Sequence, residues 1–431
     1  MPEIYHAKPH DTGDPRLVKL KEFLVSTVST DMQAQSGAHQ PDREAIRRML
    51  LDACQRAQPD LKPEVRDLAV DSTLAEMVGY GPLELILPDP EISEIMVNGA
   101  NQIFVERNGE LLETDVKFDN EEHLLRIIDR IVSPLGRRVD PDNPTADARL
   151  PDGSRVNVII PPVAIDGPHL TIRKFLQTKI KMDDLVDMGA LTTYMAKFLE
   201  ACVVTRLNIL VTGNTSSGKT TVLNALSGFI PDNERIVTIE DAVEMKLRQK
   251  HVVRLETKLP NVDGSGAVSV RELVRNALRM RPDRIVVGEV RGGEAMDMLQ
   301  AMNTGHTGSL TTLHANSPRD GVSRLETMAM MAGLDMPLLA IRKQIAAAVN
   351  LIVHLARLPD GSRRMTHITE LSGMEGEVVT LTDIFKFDQT GVTPDGKVIG
   401  QLRATGMRPF FNPRLEAAGF KLGGEIFGAG F

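Results

Sequence analysis

Apolar residues along this chain change their spacing twice, and each change marks a different kind of structure. Leu17, Leu20, Phe23, Leu24 and Val28 recur every three to four residues, as do Ile46, Met49, Leu50 and Cys54, and then Val65, Leu68, Leu74 and Met77. That spacing predicts three amphipathic helices. Pro41-Asp42-Arg43-Glu44 and Pro63-Glu64 supply the starts of the second and third, and residues 30–41 read as a polar linker. Residues 1–14, polar and carrying Pro2 and Pro9, read as a loose tail. The pattern predicts a small helical bundle over 15–82, closed by Gly79-Tyr80-Gly81-Pro82.

From Leu83 the period shortens. Segments 92–97, 103–107, 111–118, 155–160 and 169–175 are strand-like, and Asn108-Gly109 is a hairpin signal. Between them, 121–133 returns to helical spacing through Leu124, Leu125, Ile128 and Ile131. This predicts a mixed α/β domain over 83–176, a linker at 177–187, and a second α/β domain over 188–431. The octapeptide Ala-Arg-Leu-Pro-Asp-Gly-Ser-Arg occurs at 148–155 and again at 356–363, and a third Pro-Asp-Gly lies at 394–396. Each copy lies between strand-like runs, so it reads as reused hairpin-turn chemistry.

Composition narrows the function classes. With 42% hydrophobic and 25% charged residues in 431, the chain can fill several cores. Aromatics are only 4%, with no Trp, which removes the usual platforms for stacking nucleic-acid bases. Lys and Arg total 50 against 58 Asp and Glu, a net charge of −8 that argues against nucleic acid as the main partner. Cys54 and Cys202 are too few for a disulfide framework or a four-thiolate zinc site, and read as small buried hydrophobes in a reducing compartment. The most apolar stretch, 345–356, is short and broken by Asn350 and His354, and the first residues lack a signal-peptide run. The expectation is a cytoplasmic chain with no direct membrane insertion.

Within the second domain, the buried-type strand 207–211 runs into Gly213-Asn214-Thr215-Ser216-Ser217-Gly218-Lys219-Thr220-Thr221 and a helix. This is G-x-x-x-x-G-K-[ST] between a strand and a helix. Chance gives about 0.02 such matches in a chain of this length. The glycines let backbone N–H groups close around a β-phosphate, and Lys219 can reach the β- and γ-phosphates. The Thr220 hydroxyl can ligate Mg²⁺. The chain is expected to bind ATP with Mg²⁺.

Three further clusters define the kind of P-loop protein. A strand at 235–239 ends in Glu240 and Asp241, with Glu244 three residues beyond Asp241. Another at 284–288 closes on Glu289, where a Walker B acid belongs, able to hold the metal's water shell or polarise the attacking water. His306 and His314 bracket a Gly- and Thr-rich strand, and both are read as γ-phosphate sensors, no third ligand being suitably spaced for a metal. Glu244 is read as orienting or deprotonating water.

With these motifs in order, the chain resembles the secretion-superfamily traffic ATPases, and most closely the CpaF-type ATPases of tight-adherence (Flp) pilus assembly. Segments 79–105, 147–175, 239–247, 279–297 and 304–316 carry the resemblance together with the P-loop. It implies an α/β fold in which a RecA-like P-loop motor domain follows a smaller mixed α/β domain and the helical bundle. It implies a homo-oligomer, a hexameric ring, working on inner-membrane pilus or secretion platform proteins and lying at that membrane through those partners. Arg149, Arg155 and Arg173 match family arginines that approach the nucleotide. The loop interior Asn214-Thr215-Ser216-Ser217 departs from the commoner Gly-Thr-Gly-Ser. Type IV secretion ATPases and other pilus extension or retraction ATPases are close alternatives, the absent four-cysteine insertion counting against many extension ATPases. A RecA-like DNA translocase is the alternative from another class, which the acidic charge opposes.

Overall fold

The computed structural model describes residues 4–7, 15–34, 41–58, 60–175, 180–258, 260 and 265–428. It divides into two units, Met1–Gln177 and Thr178–Phe431.

In the first unit, helices α1 (Pro15–Ala34), α2 (Arg43–Ala57) and α3 (Pro63–Val78) share a core of Leu20, Leu24, Val28, Ile46, Leu50, Cys54, Val70 and Leu74. The Asp42 carboxylate caps α2 by accepting the Ala45 N–H at 2.8 Å. Helix α1 continues through residues 30–34, which had read as linker. There the Thr30 hydroxyl donates back to the Ser26 carbonyl at 2.8 Å, so a polar residue sits inside the helix without opening it. Residues 35–40 of that expected linker lie outside the described residues.

The sheet of this unit runs β1 (Ile4–Tyr5), β4 (Glu110–Thr114), β3 (Ile103–Arg107), β2 (Ile92–Asn98), β7 (His169–Arg173), β6 (Arg155–Ile159), β5 (Thr145–Arg149). Pairing is antiparallel except between β1 and β4. Helix α4 (Glu121–Val132) packs Leu124, Ile127, Ile128 and Ile131 into the core that holds Ile95, Val105, Val158 and Ile172. Strand β1 takes part of the expected tail into the sheet; residues 1–3 and 8–14 of that tail lie outside the described residues. Side-chain bonds that leave no hydrophobic period hold this segment: Tyr5 Oη donates to Asp89 at 2.8 Å, and beyond the strand Ala7 N–H donates to Asp115 at 3.2 Å.

The second unit opens with α5 (Met182–Asp187) and α6 (Thr193–Val204). It then alternates β8 (Ile209–Gly213), α7 (Lys219–Ser227), β9 (Ile236–Glu240), β10 (Val252–Glu256), α8 (Val270–Ala277), β11 (Arg284–Val287), α9 (Glu294–Asn303) and β12 (Leu310–His314). Helices α10 (Pro318–Met330) and α11 (Leu338–Ala348) lead to β13 (Leu351–Arg357), β14 (Arg363–Glu375), β15 (Val378–Val392), β16 (Val398–Ala404) and α12 (Asn412–Ala417). The sheet order is β10-β9-β11-β12-β8-β13-β14-β15-β16. The first six strands are parallel and the last three antiparallel additions. Every residue of β8, β9 and β11 is buried, as the interior of a parallel sheet covered on both faces requires.

Part of the expected linker belongs to this core. Met182 and Leu185 are buried in the core of the second unit, and Asp184 starts α5 by accepting the Lys181 N–H at 2.7 Å; residues 177–179 lie outside the described residues. At the far end of the chain, Phe198 of α6 meets the rings of Phe385, Phe411 and Phe427 at 5.4, 6.2 and 5.9 Å. Both cysteines are buried, and among the described residues no helix is long and apolar enough to cross a membrane.

Candidate active site

All parallel strands of the second unit point their carboxyl ends one way, and ligands of such sheets bind at that edge. Strand β8 ends there on Gly213. A Cβ at this position would lie 2.5 Å from the Leu355 carbonyl oxygen and 2.6 Å from Ser217 Oγ, so only glycine fits. The loop turns on the Asn214 carbonyl, which accepts from Ser217 N–H at 3.3 Å, Ser217 Oγ at 2.8 Å and Lys219 Nζ at 3.0 Å. Thr215 and Ser216 form its crest, Ser216 with φ +58°, and Gly218 at φ +94° starts α7. Lys219, Thr220 and Thr221 make the first turn of that helix, so its unpaired N–H groups and dipole face the loop.

Pairing of β12 with β8 sets His314 opposite Gly213. His314 Nδ1 is 3.3 Å from Lys219 Nζ, and its Nε2 is 2.7 Å from Glu289 Oε1. Burial, reinforced by the Lys219 charge, holds the imidazole below its ordinary pKa. A neutral ring can accept from the ammonium at Nδ1; its Nε2 lies at ion-pair distance from the carboxylate, but Glu289 Oε1 is buried without a hydrogen-bond partner.

Glu289 also accepts from Arg291, at 2.7 Å from Nε, and Arg291 Nη1 stands 3.2 Å from Asp241 Oδ2. Burial opposes the charge of Arg291, but the carboxylates of Glu289, Asp241 and Glu244 outweigh it and raise its pKa. Glu240 behaves differently. It is buried at the end of β9, where Oε2 accepts the backbone N–H groups of Glu244 at 2.8 Å and Met245 at 3.0 Å. Burial pushes its carboxyl up to about 7, and Oε1 is buried without a hydrogen-bond partner. Glu240 therefore shapes the loop that carries Glu244. Gly288 makes room for it, since a Cβ there would lie 2.9 Å from Glu240 Cγ.

The structure gathers Lys219, His314, Glu289, Asp241, Glu240 and the backbone of Glu244 at one edge, but not His306. His306 precedes β12 by four residues, at the amino end of a strand whose carboxyl end meets the P-loop. Its carbonyl accepts from Ser309 Oγ at 2.8 Å, so it shapes the turn into β12. A γ-phosphate on the P-loop of the same chain is a strand's length away, about 16 Å for five residues. This corrects the expected sensor role of His306.

Arg149, Arg155 and Arg173 lie in the first unit as direct cross-strand partners, Arg149 opposite Arg155 and Arg155 opposite Arg173, with Glu94 beyond. Opposite residues share a face, so three cations stand in a row on β5, β6 and β7, an arrangement that costs stability. Two arginines escaped sequence reasoning. Arg291 carried only its nearness to Glu289 as a signal. Arg363, whose Nε donates to the Ser216 carbonyl at 2.9 Å, ends the second octapeptide, where the sequence reads only as a hairpin turn.

Residues 76–387 match the family described as type II/IV secretion system proteins. The chain belongs to that family. A Mycobacterium tuberculosis protein named for conjugal transfer is 39% identical over 313 residues, covering 71% of this chain and 88% of its own length. The conjugal transfer protein TrbB of Rhizobium radiobacter is 33% identical over 292 residues, covering 67% and 86%. The VirB11 ATPase of the Brucella suis type IV secretion system, solved with sulphate, is 30% identical across 67% of this chain and 94% of its own, with a TM-score of 0.37. The second unit of this secretion-system protein is its RecA-like P-loop motor domain, and the first holds the smaller α/β domain and the helical bundle. The family match begins inside α3 and ends within β15, leaving α1 and α2 outside it.

Proposed function

We propose that this chain is an ATP-hydrolysing motor that works as a hexameric ring on an inner-membrane platform, driving Flp-type pilus assembly or secretion across the envelope. The observation that carries the reading is the unbroken contact from Lys219 through His314 to Glu289 at the mouth of the P-loop. The loop from Gly213 to Thr221 binds the triphosphate, and Lys219 neutralises its β- and γ-phosphates. Glu244 orients or deprotonates the attacking water, with Glu289 sharing that role, and His314 transmits the state of the γ-phosphate to β12. Arg149, Arg155 and Arg173 supply cations to a nucleotide when the ring closes.

The donor set fits Mg²⁺. Thr220 and Glu289 offer hard oxygen ligands, and an ion that shares its coordination with phosphates needs only one or two protein groups. Bound there, Mg²⁺ would offset phosphate charge. Relatives named for conjugal transfer favour a second reading, in which the same motor serves a type IV secretion channel.

Purified protein should hydrolyse ATP in the presence of Mg²⁺, and Lys219→Ala should abolish it; near-normal turnover by the folded variant overturns the assignment. In the native host, deletion should remove surface pili; loss of conjugative DNA transfer with pili intact would select the second reading.

A further inference from the structure

The second octapeptide forms the turn between β13 and β14, and β13 lies beside β8 with Leu355 opposite Gly213. The hairpin therefore flanks the P-loop. Its tip is fixed by Asp360: Oδ1 accepts from Ser362 N–H at 3.0 Å and Ser362 Oγ at 2.6 Å, while Oδ2 accepts the Val398 N–H of β16 at 2.8 Å. Arg363 emerges from this rigid base. Its Nε donates to the Ser216 carbonyl at 2.9 Å, and its Cδ passes 3.7 Å from where a Cβ on Gly218 would stand. One side chain thus covers both left-handed positions of the loop, Ser216 at φ +58° and Gly218 at φ +94°. Glycine holds such a conformation at no steric cost; serine pays for its Cβ.

We infer that Arg363 is a positioning residue for nucleotide binding, pinning the Ser216 carbonyl outward so that the loop's N–H groups stay turned toward the phosphates. A serine at this crest then needs an external partner that a glycine would not. The inference rests on the nucleotide-binding reading above. The guanidinium acts on the protein backbone from the same unit, which separates it from the arginine row of β5, β6 and β7.

The test is titration of a fluorescent ADP analogue into four folded variants, with ATP kinetics alongside. Arg363→Ala should weaken ADP about fivefold, the scale of one exposed charge-assisted hydrogen bond, and should raise the KM for ATP more than it lowers kcat. In a Ser216→Gly background, the same Arg363→Ala change should cost less than twofold, whatever affinity Ser216→Gly itself has. An equal loss in both backgrounds, or none in either, overturns the inference. Lys219→Ala keeps the two readings apart. If it loses ADP while Arg363→Ala does not, only the positioning role fails; if it binds ADP normally, the nucleotide-binding reading itself fails.

Discussion

His314 joins Glu289 to Lys219 through the two nitrogens of one ring, at 2.7 Å and 3.3 Å. Only a neutral imidazole can accept from the ammonium at Nδ1. The burial and the Lys219 charge that hold its pKa below the ordinary 6.5 are therefore what keep the contact with Lys219 intact near neutrality. His314→Asn should lower kcat about 100-fold, the scale of a misplaced reacting group. Acidification below the ring's lowered pKa protonates it and sets a cation against Lys219, so wild-type activity should fall on the acid side. A kcat–pH profile checks this: the variant should lack that acid limb.

The two acids separate by binding against turnover. Glu244→Gln and Glu289→Gln keep their shape, so both should retain ADP while losing at least about 100-fold in kcat. Normal hydrolysis by Glu244→Gln beside a dead Glu289→Gln would assign the base to Glu289 alone.

A pH-dependent contribution to stability comes from His354, buried next to β8. Thr212 Oγ1 lies 2.8 Å from its Nδ1, the ring of His367 is 6.1 Å away, and burial followed by His367 repulsion lowers its pKa from 6.5 to about 4, against the opposing Asn316 backbone and Asp320. Between those values the unfolded chain takes up a proton that the folded chain refuses. Stability is held above pH 6.5 and lost as pH falls toward 4. The loss between pH 7 and pH 5 should be about 2 kcal/mol. Denaturant melts at the two pH values measure it, and His354→Gln should shrink the difference.

Much of the motor unit was legible because its physics is local. A short apolar run such as 209–211, leading directly into a glycine-rich loop, reads as a buried strand, and the glycine–lysine spacing at 213–220 serves one loop geometry. Chain direction already points His314, at the carboxyl end of β12, toward the P-loop, and the pairing with β8 puts it there; the sequence groups His306 with it only because the two bracket one strand. What stayed hidden depends on pairing across the sequence. The register that aligns Arg149, Arg155 and Arg173 is set by three strands together. Strand β1 and helix α5 were missed because two and six residues are too few to display a period.

The arginine row makes assembly testable. If its cations act on a neighbouring subunit's nucleotide, Arg149→Ala and Lys219→Ala chains, each inactive alone, should recover measurable ATPase activity when mixed into common rings. Light scattering confirms the rings, and absence of rescue in confirmed mixed rings would place the arginine's role within its own chain.

The aromatic contact between Phe198 and Phe427 sets a schedule for synthesis. Helix α6 leaves the ribosome early, but the ring that closes its apolar face comes about 230 residues later, roughly 10–50 s at ordinary elongation rates. The first unit has no such wait, because its core is complete before α6 is made. During translation the nascent chain therefore carries a finished domain ahead of a motor half with an uncovered hydrophobic surface. Ribosome-associated chaperones should engage α6 throughout that interval, and a pause placed late in the message should prolong their hold.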